Sequence, residues 1–295
     1  MKADRVSASA LKTYEKCAFA YFLSYECNIK QPSTEKTTIG NVVHYALEMF
    51  ANQDVDYVKN LKIKYAELKP YSLGKDYKAG IKTCNTCPFL KSGICDVLNQ
   101  NVDQFEGCPK QSFEKCVKLT ESVLNRKENP ILRYKILGVE KEFRDLILNN
   151  ANAVGFIDLI TEMPNKIIEI RDWKTGSFIQ KYDEVRNDIQ VKLYDIAVKS
   201  MFPDYEGIIV VLDYIQGNEV FVTYTDEERE NNKKQIEALI DKIKRDKTPC
   251  RRNNDWKCRY MCITREICDI HWAKYKNNGF KSEPEKSDLN GTDKK

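Results

Sequence analysis

Long apolar runs are missing from this sequence of 295 residues; none approaches the roughly 18 residues that cross a membrane. The opening MKADRVSASALKTYEKC also lacks an apolar stretch behind its positive residues, so it does not read as a secretion signal. Both absences predict a soluble, intracellular protein. An excess of one charge is missing too, with 48 Lys and Arg against 44 Asp and Glu and a net charge of +4. Total charge therefore permits a polyanionic partner without arguing for one, because the footprint of such binding is clustered charge. No internal repeat is present, and histidine is scarce, with His44 and His271 alone. Hydrophobic residues at 42% and charged residues at 31% supply a packed core and exclude wholesale disorder.

Cysteine is abundant instead. Eleven stand at positions 17, 27, 84, 87, 95, 108, 116, 250, 258, 262 and 268. In a chain kept out of oxidising compartments, clustered cysteines bind metal or an iron–sulfur cluster more often than they pair. The odd count also leaves at least one outside any set of pairs.

Ser7 to Tyr25 reads as a helix, with Ser7 or Ser9 as its cap and Leu11, Tyr14, Ala18, Tyr21, Phe22 and Tyr25 at helical spacing. Gln31 to Thr38 is polar, carries Pro32 and reads as a loop. Val42 to Asn52 reads as a second helix opened by Gly40 and Asn41. Residues 53–135 are lysine-rich, helical in pattern, hold five cysteines and contain no convincing strand, so they read as a helical insertion. Ile136 to Leu148, Ala153 to Glu162 and Lys166 to Trp173 are strands separated by Asn-rich or Pro-Asn turns. Tyr182 to Met201 reads as a helix, Gly207 to Tyr214 and Glu219 to Thr225 as a hairpin, and Asp226 to Lys247 as a charged amphipathic helix. The expected organisation is N-terminal helices over 1–52, the insertion over 53–135, a sheet and helices over 136–247, a cysteine-rich region over 248–280 and a disordered tail over 281–295. The fold class is α/β with a helical, cysteine-bearing insertion.

Asp158 lies in the strand that follows Gly155, and Asp172-Trp173-Lys174-Thr175-Gly176 ends the next strand. Antiparallel pairing brings the two aspartates together, and the strand period of two puts Asp172 and Lys174 on one face. Phosphodiester hydrolysis needs such a set. Two carboxylates hold Mg²⁺ or Mn²⁺, hard ions that prefer oxygen ligands, and an adjacent lysine orients or deprotonates the attacking water. An isolated D-x-K, however, is most often a surface ion pair worth under about 1 kcal/mol.

Context raises its value. Ser7-Ala8-Ser9-Ala10-Leu11, Tyr14, Cys17 and Tyr21, then Gly40-x3-His44, then Gly155 to Asp158 with Asp172-x-Lys174, then Gln190-x3-Tyr194 follow one another. In this order they resemble the RecB-type branch of the PD-(D/E)xK nuclease superfamily. The resemblance covers most of the chain outside 53–135 and implies a restriction-endonuclease-like core, a small mixed sheet flanked by helices. It implies that His44, Asp158 and Asp172 bind the metal, with the Trp173 carbonyl as a further ligand. Lys174 would be the catalytic lysine, and Gln190 and Tyr194 would support it or the substrate phosphate. His271 reads as structural. Glu140 and Glu142 read more readily as a solvated strand face than as site residues.

Cys258-x3-Cys262-x5-Cys268 is compact, and Cys17 stands far from it in sequence. Relatives that include AddB and the CRISPR-associated RecB-like nucleases ligate a 4Fe–4S cluster with one N-terminal and three C-terminal cysteines, which implies Cys17, Cys258, Cys262 and Cys268 here. The first C-terminal gap departs from that pattern, at three residues where two are usual, so Cys250 is an alternative ligand. Zinc held by four cysteines is the other reading. Cys84-x2-Cys87, Cys95 and Cys108 form a second set. It is suited to zinc or a second cluster, with Cys116 as a substitute, or it is a group of buried reduced thiols. Basic residues cluster at 59–69, at 242–247 and at Arg251-Arg252; each run is a solvated helix face or a phosphate contact.

The function so implied is metal-dependent DNA hydrolysis, exonucleolytic on single strands or ends, in recombination, repair or phage and mobile-element processing. It places the protein in the cytoplasm of a bacterium or phage-infected host, with DNA and a recombination or helicase protein as partners and no membrane. The alternatives are a non-catalytic nuclease-like module that holds DNA or a partner, and a CRISPR-adaptation nuclease that trims DNA.

Overall fold

A computed structural model describes residues 1, 3–29, 35–67, 90–91, 94–95, 100–101, 109–252, 258, 262, 265–276 and 279–281. In chain order its elements are β1 (Arg5–Val6), α1 (Ala8–Lys16), α2 (Ala18–Tyr21) with a π-helical turn over Phe22–Glu26, α3 (Glu35–Ala51) and α4 (Tyr57–Glu67). There follow β2 (Leu90–Lys91), β3 (Ile94–Cys95), β4 (Gln100–Asn101), α5 (Pro109–Leu124), β5 (Lys135–Leu148), β6 (Ala151–Met163) and β7 (Ile167–Lys174). The remainder are α6 (Tyr182–Arg186), α7 (Ile189–Met201), β8 (Gly207–Tyr214), β9 (Glu219–Val222), α8 (Asp226–Arg245) and α9 (Arg265–Tyr275).

The main sheet has six strands in the order β1-β6-β7-β8-β9, with β5 also paired to β6. β6 and β7 are antiparallel, β7 and β8 parallel, and β8 and β9 antiparallel. This is the mixed α/β core that the pattern of strands and helices leads one to expect. The β5–β6 turn is Asn149-Asn150, both with positive φ (47° and 57°), the conformation that asparagine tolerates best among residues with a Cβ. The chain divides into two compact units, one of residues 1–31, 143–155 and 228–295, the other of residues 32–142 and 156–227.

In the second unit, β7 is buried on both faces except at its ends. One face carries Ile168, Ile170, Asp172 and Lys174 in alternation; the other carries Glu169, Arg171 and Trp173. Trp173 packs into an apolar cluster with Val42, Val43 and Leu47 of α3, Leu61 and Tyr65 of α4, and Phe113, Leu119 and Val123 of α5. Cys116 sits fully buried in that cluster, a packed thiol of the core.

Several boundaries differ from those the sequence pattern predicts. The helix expected from Val42 begins at Glu35, so Gly40 lies inside it. Thr38 and Ile39 are buried, and that burial draws a polar stretch into the helix. A Cβ on Gly40 would meet Thr175 Oγ1 at 3.4 Å, so the glycine allows α3 to lie close to the end of β7. The first expected helix breaks at Cys17, which is extended (φ −163°, ψ 110°). Ser7 does cap α1, accepting from the Ala10 amide at 3.2 Å. The helix expected over Tyr182 to Met201 breaks at Asn187–Asp188, where Asp188 caps α7. Residues 53–135, expected to lack strands, hold a small antiparallel sheet, β2-β3-β4. Its two-residue strands are too short to show alternation in sequence. Among the described residues no helix is long and apolar enough to cross a membrane.

In the first unit, β1 pairs in parallel with the start of β6, Val6 opposite Ala153. Phe19 of α2 meets Trp272 at 5.1 Å and Phe280 at 6.1 Å between ring centroids, both edge-on. Its amide donates to the Cys250 carbonyl at 3.2 Å.

Candidate active site

The register of β6 and β7 sets Leu159 opposite Arg171, so Asp158 and Asp172, the next residue on each strand, also come opposite one another. The Trp173 amide donates to Asp158 Oδ2 at 2.7 Å, fixing that carboxylate. His44, on the face of α3 turned to the strands, places Nδ1 3.3 Å from Asp158 Oδ1. Glu140 of β5, at a positive φ of 43°, completes a group: one ligand atom each from His44, Glu140 and Asp158 lie within 4.8 Å of one another.

Beside this group stands a closed network. Lys174 Nζ lies 2.5 Å from Asp172 Oδ2 and donates to Gln190 Oε1 at 3.1 Å. Gln190 Nε2 donates to Asp172 Oδ1 at 2.8 Å and to the Tyr194 hydroxyl at 2.9 Å. Tyr194 in turn donates to the Phe156 carbonyl at 2.7 Å. The cause is local. Asp188 Oδ1 accepts from the Gln190 amide at 2.8 Å, which starts α7 there and sets Gln190 and Tyr194, four residues apart, on one face.

The electrostatics are those of acids crowded out of water. Burial would lower the His44 imidazole, but Asp158 outweighs it and raises the pKa to about 9. Burial, then repulsion from Asp158, pushes Glu140 up to about 7. Burial also raises Asp172 against the pull of Lys174, while Asp172 keeps the Lys174 ammonium charged despite its own burial. Burial holds the Tyr194 phenol neutral.

The donor set suits a hard divalent cation: two carboxylates and an imidazole converge, with a third carboxylate adjacent. Asp172 Oδ2 supports the fit. It is sealed from solvent, and although the Lys174 ammonium touches it, no aligned hydrogen bond reaches it. A cation would satisfy that oxygen and relieve the repulsion on Glu140. Glu140, expected on a solvated strand face, stands with His44 and Asp158 instead, and nothing in Val139-Glu140-Lys141 signals the positive φ found there.

An open cleft of about 660 Å³ is lined by His44, Glu140 and Asp158 together with Lys36, Tyr45 and Lys64.

The cysteines divide. Cys17, Cys250, Cys258, Cys262 and Cys268 all belong to the first unit and are partly buried. The Cys17 sulfur accepts from the Arg252 amide at 3.4 Å, and Cys258 Sγ lies 3.1 Å from the Arg252 carbonyl. Burial, against the pull of Arg251, pushes the Cys268 thiol up to about 11, and Cys17 and Cys262 add to the rise. No three of these sulfurs lie within 4.8 Å of one another among the described residues. Cys84, Cys87 and Cys108 lie outside the described residues, and of Cys95 only its place in β3 is described. The residues beyond 281 also lie outside.

Comparison with known proteins follows the same lines. The chain is 22% identical over 218 residues to one of the subunits of the ATP-dependent helicase/deoxyribonuclease of Clostridium perfringens, in strain SM101 as in strain 13. That match takes in 69% of this chain but only 18% of the relative, so the chain spans less than a fifth of its length. A crystal structure of a candidate exonuclease from Eubacterium rectale shares the fold, with a TM-score of 0.50 and 12% identity over 82% of this chain and 81% of that one. A sequence model of one family matches residues 5–269, a span that takes in every element from β1 into α9, and by that match the chain belongs to the PD-(D/E)XK nuclease superfamily.

Proposed function

We propose that the protein is a Mg²⁺- or Mn²⁺-dependent deoxyribonuclease, an exonuclease on single strands or DNA ends, serving recombination, repair or mobile-element processing in the cytoplasm. The observation that carries this reading is the pair of adjoining constellations, His44–Glu140–Asp158 and Asp172–Lys174–Gln190. The helicase/deoxyribonuclease among the relatives supports DNA as substrate and a helicase as partner.

His44, Glu140, Asp158 and Asp172 would hold the ion, with the Trp173 carbonyl as a further ligand. When bound, it supplies positive charge to the phosphoryl oxygens and acidifies a coordinated water. The remaining work falls to protein groups. Lys174, held at 3.1 Å by Gln190, donates to a water or phosphate oxygen at the cleft and stabilises charge as it develops there. Gln190 fixes the positions of Lys174 and Asp172 together, and neutral Tyr194 anchors Gln190 to β6 through the Phe156 carbonyl.

The proposal extends to a 4Fe–4S cluster on Cys17, Cys258, Cys262 and Cys268, with Cys250 as a neighbour. One observation supports it: these thiols gather in one unit, where Cys17 and Cys262 add to the rise that burial imposes on the Cys268 thiol. The cluster would brace the chain's two ends, alongside the Phe19–Trp272 contact.

Degradation of a labelled oligonucleotide tests the enzyme. Asp172→Ala and Lys174→Ala should each abolish Mg²⁺- or Mn²⁺-dependent cleavage while the circular dichroism spectrum is kept; undiminished cleavage in both sinks the assignment. Anaerobic purification with iron and zinc counts tests the cluster. A colourless preparation that contains only zinc would overturn it.

A further inference from the structure

A second pocket, of about 410 Å³, lies wholly within the first unit and has no part in the chemistry described so far. Its lining joins Tyr14, Lys16 and Cys17 at the end of α1 to Lys242, Cys250 and Arg252 at and beyond the end of α8. Two thiols far apart in sequence therefore share one pocket. The backbone brings them there. The Phe19 amide donates to the Cys250 carbonyl at 3.2 Å and the Arg252 amide to the Cys17 sulfur at 3.4 Å, so residues 250–252 run beside residues 17–19. Cys250 is partly buried, and it stands outside the proposed cluster set of Cys17, Cys258, Cys262 and Cys268.

The pocket is basic. Lys16, Lys242 and Arg252 are set against Glu15 and Asp246. Asp246 is already engaged: Oδ2 accepts from the Tyr14 hydroxyl at 2.9 Å and Oδ1 from the Thr248 amide at 3.2 Å. Arg252 Nη1 donates to the Lys16 carbonyl at 3.1 Å, which holds the guanidinium at the pocket wall. A partly exposed thiol in electropositive surroundings is the setting in which cysteines react. The volume falls within the range of roughly 300–1,000 Å³ that holds a small molecule. We propose that Cys250 is a modification site, to which this pocket directs the disulfides of small anionic thiols such as glutathione. The Cys250 sulfur attacks one sulfur of the incoming disulfide. A bond forms between them, the ligand's own S–S bond breaks, and the departing thiol carries away the proton that Cys250 gives up. No other oxidant or reductant is consumed. The inference is independent of the nuclease reading and uses the cluster reading only in counting Cys250 outside the ligands.

Peptide mapping by mass spectrometry tests it, on anaerobically purified full-length protein treated with oxidised glutathione. Cys250 should carry the adduct, Cys17, Cys258, Cys262 and Cys268 should not, and the iron count should stay unchanged. Cystamine, a disulfide with positive ends, should modify Cys250 about tenfold more slowly once each rate is referred to that of 2-mercaptoethanol, because a basic pocket concentrates anions and repels cations. Lys242→Ala, a change at an exposed side chain, should shrink that preference. Lys234→Ala, also exposed on α8 but outside the pocket, should leave it as in wild type. An unmodified Cys250, or equal referred rates with the two disulfides, would overturn the proposal. Modification of Cys250 only after iron is lost would make it a cluster ligand and overturn the proposal as well. A preparation that contains no iron sinks the cluster alone, and the preference of Cys250 for the anionic disulfide is then read on that protein with the same two outcomes.

Discussion

Gln190 and Asp172 are joined by a 2.8 Å hydrogen bond from the amide nitrogen to the carboxylate, so the amide oxygen must face the Lys174 ammonium. One side chain thus reads the charge of two others through its two ends. Gln190→Glu keeps the size but replaces the donor with an acceptor, setting two carboxylates against each other. Cleavage should fall about 10- to 100-fold, the range typical when a group that orients a metal ligand is lost. The Mn²⁺ dependence should shift to higher concentration at the same time. Unaltered metal dependence and rate would show that Asp172 is oriented without it.

Glu140 is the carboxylate that the geometry adds to the proposed metal group. Its carboxylate is held up near pH 7 by burial and by Asp158, so removing it should make the metal-free protein more stable and the metal-bound protein less active. Glu140→Gln should raise the melting temperature without metal and shrink the increase that saturating Mn²⁺ confers. A thermal shift on adding Mn²⁺ as large as that of wild type would remove Glu140 from the metal site.

Much of this site is legible in the sequence, and the reasons are physical. Asp158, Asp172 and Lys174 lie on strands, where alternation fixes the face and antiparallel pairing fixes the partner. Gln190 and Tyr194 are four apart on a helix, so their common face follows from periodicity. His44 stands out only through its spacing from Gly40, and the start of α3 escapes the pattern because burial of Thr38 and Ile39, invisible locally, decides it. Glu140 is hidden because its direction depends on a positive φ in the middle of a strand. Arg171 is hidden too, because a charged residue in a central strand makes sense only when its partners Glu169 on β7, Asp213 on β8 and Glu219 on β9 are seen.

The metal-free protein should lose stability as pH rises. His44 has a folded pKa near 9, above its unfolded value, so its pairing with Asp158 stabilises fully below about pH 6.5 and is lost as pH climbs through 9. Glu140 acts in the same direction: its protonated form is favoured in the fold, so its contribution is present below about pH 4.5 and gone above about 7. A melting series with EDTA should therefore decline between pH 6 and pH 9.5, at about 2–4 °C for each kcal/mol lost. Mn²⁺ should flatten the decline, since a cation replaces the proton on both groups. A metal-free protein as stable at pH 9.5 as at pH 6 would contradict the close approach of His44 to Asp158.

Arg171 occupies the face of β7 opposite Asp172 and is 1% exposed. It meets Glu169 at 2.8 Å, Asp213 at 2.5 Å and the carboxylate of Glu219. Arg126 also grips Asp213, at 2.5 and 2.8 Å, and Arg133 grips Glu169 at 2.7 Å. Three guanidinium groups thus neutralise three carboxylates. Removing one partner leaves buried charge uncompensated, which costs about 3–5 kcal/mol, whereas replacing a whole buried set by apolar residues is often neutral. Arg171→Met should therefore lower the stability read from urea unfolding by that amount, and adding Asp213→Leu, which leaves Arg126 with Glu219 and Arg133 with Glu169, should recover much of it. Arg171 lies across the strand from Lys174, so single-turnover cleavage by the folded protein should keep its metal and pH dependence. A loss under about 1 kcal/mol on Arg171→Met would mean that Arg126 and Arg133 suffice to neutralise the acids. Arg171 would then be held in the sheet by its packing against Trp173, 5.5 Å from the ring centre.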